Sequence, residues 1–82
     1  MPTVSSITQQ VRDLTGGLDS FEVQADSVRG LIAELERRYP GLGMLVSEKM
    51  AIAIDGEINQ DALGTSLDAD SEVVLIPRIA GG

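Results

Sequence analysis

The sequence predicts an α+β roll: a mixed sheet of about four or five strands with one main helix across one face. Three observations carry that prediction. One segment, Val28 to Tyr39, repeats apolar residues with the helical period. Short apolar stretches of strand character flank it on both sides. Two of them are separated by Asp55-Gly56, a two-residue hairpin signal.

Taken in order, Thr3-Val4-Ser5-Ser6-Ile7-Thr8 is compatible with a strand, although its two serines dilute the apolar pattern. Val11 and Leu14 follow, then Thr15-Gly16-Gly17, a turn signal built on residues that tolerate positive φ. Ser20-Phe21-Glu22-Val23-Gln24 alternates polar and apolar residues, as a half-buried strand does. Two strands joined through the glycine turn form a hairpin on this reading.

The helix is the best-defined element. Asp26 or Ser27 can cap it, because a short oxygen-bearing side chain accepts a free backbone N–H of the first turn. Val28, Leu31, Ile32 and Leu35 fall at i, i+3, i+4 and i+7, and Tyr39 extends the stripe. Glu34, Glu36, Arg37 and Arg38 lie off it, on a solvated face. Pro40-Gly41 ends the helix: proline cannot continue the ladder, and glycine suits a left-handed exit.

Met50-Ala51-Ile52-Ala53-Ile54 is an alternating strand with small residues on its second face. It turns at Asp55-Gly56 and returns into Glu57-Ile58-Asn59. Leu63 and Leu67 are isolated apolar anchors in a polar connection. Val73-Val74-Leu75-Ile76 is apolar on both faces, which suits a strand in the middle of a sheet. The first and last strands are expected side by side at its centre.

Composition restricts the chemistry. The chain of 82 residues is the size of one domain, and 43% apolar residues suffice for one modest core. It has no cysteine and no histidine. The usual thiol nucleophile, the physiological-pH acid–base residue and the commonest zinc ligands are therefore missing, and a self-sufficient enzyme is not expected. No apolar run of membrane-spanning length and no leader pattern is present, so neither a membrane nor a secretory destination is expected; a cytoplasmic location is. Thirteen acids against six bases give a net charge of -7, which argues against nucleic-acid binding. The acidity fits either a basic partner surface or ordinary solubility.

After the last strand the sequence reads Pro77-Arg78-Ile79-Ala80-Gly81-Gly82. A terminal Gly-Gly arises by chance in roughly 0.5% of chains, so its placement after a central strand is informative. A tail anchored by a rigid strand can thread a narrow channel. Two residues without Cβ also let its backbone approach a bound nucleotide closely. Its only carboxylate is that of Gly82, a poor acyl donor until joined to a leaving group such as AMP. Any sulfur carried covalently by a cysteine-free chain would sit there.

The chain resembles the ubiquitin-like sulfur carriers of the β-grasp fold, the group of the molybdopterin synthase small subunit and the thiamin-pathway carrier. The resemblance runs nearly end to end. It is carried by Val11-Arg12-Asp13-Leu14-Thr15-Gly16-Gly17, the helix ending at Tyr39-Pro40-Gly41, the Asp55-Gly56 hairpin, Glu72-Val73, and Ile76-Pro77 before Ala80-Gly81-Gly82. Length and helix are closer to the molybdopterin type than to the shorter thiamin type. The sequence departs from the pattern in the serines of its first strand and at three further points. Asp55 replaces the usual asparagine, Ala69-Asp70-Ser71 replaces a common Asp-Gly-Asp, and Arg78 stands where proline or a small residue is frequent. Asp70 is then expected to adopt the glycine's geometry.

The resemblance implies a β-grasp domain over residues 1–76 and a flexible carrier tail over 77–82. It implies that a ubiquitin-activating-like adenylyltransferase uses ATP to adenylate Gly82, and that a persulfide sulfur then displaces AMP to leave a thiocarboxylate. Gly82 carries the sulfur, Gly81 permits entry, and Pro77, Arg78, Ile79 and Ala80 position the tail. No cofactor is expected to be bound by the chain itself. The sulfur goes to the large subunit of molybdopterin synthase, making this chain the non-catalytic small subunit of that enzyme. Alternatives are a donor for cysteine, thiamin or another sulfur metabolite, and a protein modifier conjugated through Gly82. Lys49 is the only lysine available for chain building on itself.

Overall fold

The strand-like stretches do pair, and the pairing gathers the apolar residues of one parity onto one face. The computed structural model describes residues 1–6, 8–59 and 64–77. Among them are β1 (Thr3–Ser6), α1 (Gln9–Thr15), β2 (Ser20–Glu22), α2 (Val28–Arg38), α3 (Leu42–Lys49), β3 (Met50–Ile54), β4 (Glu57–Asn59) and β5 (Glu72–Pro77). The strands form one mixed sheet in the order β2-β1-β5-β3-β4. β1 and β5 lie side by side, as the sequence predicts, and run parallel; the remaining pairs are antiparallel.

The three helices cover one face. Val4, Val73, Leu75, Ile52 and Met50 of the sheet meet Val11, Val28, Leu31, Leu35, Leu42 and Val46 of the helices in one buried cluster. Leu67 anchors the connection before β5, as expected; Leu63 lies outside the described residues. Phe21 and Tyr39 meet edge to face, with ring centroids 5.7 Å apart. The predicted stripe of α2 is the buried one, and Ser27 rather than Asp26 is its cap: Ser27 Oγ accepts the Gly30 N–H at 3.1 Å.

Two helices differ from the sequence prediction of one. α1 occupies the connection between β1 and β2, where the sequence predicts a hairpin turn. Thr8 caps its start, and Gly16, at φ 77°, closes its end with an N–H donated to the Arg12 carbonyl. The Gly16-Gly17 turn is thus a helix C-cap, and β1 and β2 are neighbours joined through a helix. α3 starts at Gly41, whose φ is 97° and which offers no capping side chain. The cap comes from α2 instead: Glu36 accepts the N–H groups of Gly41 at 2.8 Å and Met44 at 3.3 Å. The helices approach so closely at Gly43 that a Cβ there would stand 2.7 Å from Glu36 Cβ and 2.8 Å from the Ile32 carbonyl oxygen.

Asp70 also departs from expectation. Asp55, at φ 50°, is the positive-φ non-glycine residue among those described, and Asp70 is not one. The turn before β5 closes differently, with Ser71 Oγ accepting the Asp68 N–H at 2.8 Å and the Ser71 N–H donating to the Asp68 carbonyl.

Candidate functional site

Alternation along β5 divides its residues between two environments. Val73 and Leu75 point into the core, whereas Glu72, Val74 and Ile76 belong to the other face, which no helix of the described residues covers. β5 is therefore central in the sheet without being buried on both sides. This corrects the reading of its apolar run: Val74 is 37% exposed.

The register fixes what shares that open face. Ile58, Ala53 and Val74 lie side by side across β4, β3 and β5, continuing into Ser5 and Ser20 of β1 and β2. Ala51 and Ile76 form the next apolar pair toward the end where β5 leaves the sheet. Ile58 is 63% and Val74 37% exposed, while Ala53 between them is buried at 6%, so the two branched side chains carry what apolar surface the row presents. The residue types are informative: alanines on β3 leave a shallow floor, and the branched side chains of Ile58 and Val74 border it. At the opposite end, Glu72, Thr3 and Glu22 align across β5, β1 and β2, with Asp55 beside Glu72.

Pro77 is the last described residue and the one member of the predicted tail that can be placed. It pairs with Met50 at the start of β3. Lacking an N–H, proline cannot donate to the ladder, which suits it to the end of a strand. Lys49 immediately precedes Met50, so the sole lysine sits beside the base of the tail. Arg78, Ile79, Ala80, Gly81 and Gly82 lie outside the described residues.

The electrostatics around α2 are local. Arg37 donates to Glu34, with Nη2–Oε2 at 2.6 Å, and this hydrogen bond holds the Glu34 carboxyl below the ordinary glutamate value. Glu36 is lowered chiefly by the N–H of Gly41, with Met44 and Gly43 adding to it and burial opposing. Arg38 reaches the Glu22 carbonyl at 2.8 Å. These contacts join α2 to α3 and to β2, on the helical side of the sheet.

The central strand of a helix-backed sheet ends at Pro77, and the other sheet face is not covered by a helix among the described residues. Residues 6–82 match the model of the ThiS family. The chain belongs to the ThiS family. It is a sulfur carrier of the ubiquitin-like, β-grasp type, and the fold class read from the sequence holds. No curated protein matches it by sequence. Among solved structures, this ThiS-family chain is similar to the Mycobacterium tuberculosis antigen CysO, with 23% identity over 96% of this chain and 100% of that one, TM-score 0.84. It is similar to a chain of the Amycolatopsis orientalis BexX/CysO complex, with 26% identity over 100% of both, TM-score 0.83. It also resembles a chain of the complex of subunits 1 and 2 of the molybdopterin-converting factor of Helicobacter pylori 26695. That match has 22% identity over 99% of this chain and 97% of the other, TM-score 0.68. Two of these are complexes with protein partners.

The sequence reading of this ThiS-family carrier missed the open face. The signal was present in the alternation of Glu72-Val73-Val74-Leu75-Ile76, which was obscured because valine and isoleucine fill both parities.

Proposed function

We propose that this carrier delivers sulfur as a thiocarboxylate on Gly82, with residues 1–76 as the folded body and 77–82 as the tail that enters partner enzymes. The observation that supports it best is the position of Pro77. The central strand ends there, at the border of an uncovered apolar face, with Arg78-Ile79-Ala80-Gly81-Gly82 following in sequence. An adenylating enzyme supplies ATP: the Gly82 carboxylate attacks the α-phosphorus and pyrophosphate leaves. The terminal sulfur of a persulfide then attacks the acyl carbon and AMP leaves. A second thiol cleaves the resulting S–S bond, releasing the thiocarboxylate and a disulfide on the donor side. The chain supplies neither a nucleophilic thiol nor an imidazole, so every proton and sulfur transfer is made by the partners.

The acceptor proposed first is the molybdopterin precursor in the large synthase subunit. The likeness to a chain of the molybdopterin-converting factor complex supports it. A second reading, a different sulfur acceptor such as the cysteine pathway, is supported by the higher TM-scores, 0.84 and 0.83 against 0.68, with CysO and with a chain of the BexX/CysO complex. Pyrophosphate release by the organism's carrier-adenylating enzyme tests the shared step. It is expected to require the chain and to be lost on deletion of Gly82. Release that continues without Gly82 would refute the reading. Supplying the thiocarboxylated chain to the large molybdopterin synthase subunit then separates the two acceptors, through formation or absence of the dithiolene.

A further inference from the structure

Lys49 stands where the tail begins, and it is the chain's one lysine. We infer that its amine is an intramolecular acceptor. It captures an activated Gly82 carboxyl that no partner holds, and closes the tail onto the body through an isopeptide bond. Activation in the cell rests on the carrier reading above; the capture follows from the geometry of this chain alone.

The backbone of Lys49 is fixed on both sides. It is the last residue of α3, and Met50 after it closes the helix with an N–H donated to the Val46 carbonyl. Met50 is buried, opens β3 and is the Cα partner of Pro77. Paired Cα atoms of antiparallel strands stand about 5 Å apart, and consecutive ones about 4 Å. The Cα of Lys49 therefore lies within roughly 9 Å of that of Pro77. Its side chain is exposed and makes no ion pair among the described residues, so its flexible four-carbon stem is free to swing toward the tail. The five residues after Pro77 span roughly 17 Å when fully extended. The amine is inside that reach, with length to spare for the chain to double back. Gly81 and Gly82 put no Cβ in the path of the attack.

Chemistry singles out the same residue. The other bases are Arg12, Arg29, Arg37, Arg38 and Arg78, whose guanidinium groups stay protonated and are poor nucleophiles. No thiol or imidazole competes. In the capture, the Lys49 nitrogen lone pair attacks the Gly82 acyl carbon and forms the C–N bond. The bond from that carbon to the AMP oxygen breaks with its electrons on AMP, and the surplus proton on nitrogen goes to water. Nothing is oxidised or reduced. Tethering makes the step unimolecular, at an effective concentration in the millimolar range. Against micromolar carrier this favours a molecule's own lysine over its neighbour's by on the order of a thousandfold. Sulfur loading protects the tail, because an anionic thiocarboxylate is a poor acyl donor, and so does a partner's channel that keeps it extended. Capture thus retires molecules activated without a sulfur source: their Gly82 no longer has a free carboxyl to adenylate.

The test uses the full chain bearing a Gly82 C-terminal thioester, activated without any enzyme, followed by intact mass and peptide mapping. The wild type is expected to give a monomer lighter than the free acid by one water, with Lys49 and Gly82 joined in one cross-linked peptide. The captured fraction is expected to stay constant over roughly a hundredfold dilution. Lys49→Arg is expected to lose its thioester on the order of tenfold more slowly, and only to the free acid. Lys49→Arg combined with Arg29→Lys returns an amine at the far end of the body, where Val28 bonds Thr65 ahead of β5. It is expected to behave like Lys49→Arg. Circular dichroism melts confirm that each variant is folded. Wild-type hydrolysis at the Lys49→Arg rate, a cross-link at any other residue, or dilution-dependent dimers overturn the inference. So does capture restored by Arg29→Lys. The wild type is then incubated with its adenylating enzyme and ATP but no sulfur source, and captured chain is expected alongside pyrophosphate. Pyrophosphate beyond one equivalent of enzyme with no captured chain also overturns the inference. Absence of pyrophosphate refutes the carrier reading instead, and leaves the thioester result standing.

Discussion

Asp55 and Glu72 hold each other by main chain and side chain at once: the Glu72 N–H donates to Asp55 Oδ1 at 2.8 Å, and the Asp55 N–H donates to the Glu72 carbonyl at 2.8 Å. The pair ties the β3–β4 turn to the first residue of the central strand. It also explains why an aspartate stands at φ 50°, where the short carboxylate both tolerates the left-handed backbone and finds a donor. Asp55→Asn keeps an acceptor oxygen and is expected to change stability little. Asp55→Ala loses the bond and retains the strain, at a cost of about 1–2 kcal/mol in denaturant unfolding.

Gly43 is required by contact rather than by conformation. A methyl group there meets the Ile32 carbonyl oxygen and Glu36 Cβ. Gly43→Ala is expected to destabilise by roughly 1–3 kcal/mol despite alanine's better helix propensity, because α2 and α3 must separate. Gly64→Ala, with open space at its Cβ, serves as the neutral comparison in the same melting series.

The Glu36 cap predicts an acid limb. Its carboxyl is lowered in the folded state, so its stabilisation is complete above the unfolded glutamate value and is lost as pH falls through the lower folded value. Glu34, lowered first by its bond from Arg37, acts with the same sign. Melting temperatures from neutral pH to roughly pH 3 are expected to fall less steeply in Glu36→Gln than in the wild type.

How much of this was legible follows from where each signal is stored. Val28, Leu31, Leu35 and Ser27 announce α2 because stripe and cap are local in sequence. Asp55-Gly56 announces its turn for the same reason. α3 was not legible because its cap is Glu36, five residues before Gly41, and its interior begins with a glycine whose reason is tertiary. α1 was hidden by brevity: Val11 and Thr15 are its buried positions, too few to define a period. Gly81-Gly82 and the missing cysteine lead to the proposed tail chemistry from sequence alone. The open face could not, since only strand pairing reveals that Ile58, Ala53 and Val74 are neighbours.

Body and tail are expected to separate under mutation. Leu35, fully buried, should cost about 2–5 kcal/mol on replacement by alanine, measured by denaturant unfolding. Replacing Gly81 by a bulky residue is expected to abolish sulfur transfer while leaving the unfolding midpoint almost unchanged.

The most direct test of the central proposal is the intact mass and C-terminal peptide mass of the chain after incubation with its adenylating enzyme, ATP and a persulfide sulfur source. The account predicts the gain of one sulfur for one oxygen, confined to the peptide ending in Gly82 and absent when Gly82 is deleted. An unchanged mass, or sulfur found on any other residue, would contradict it.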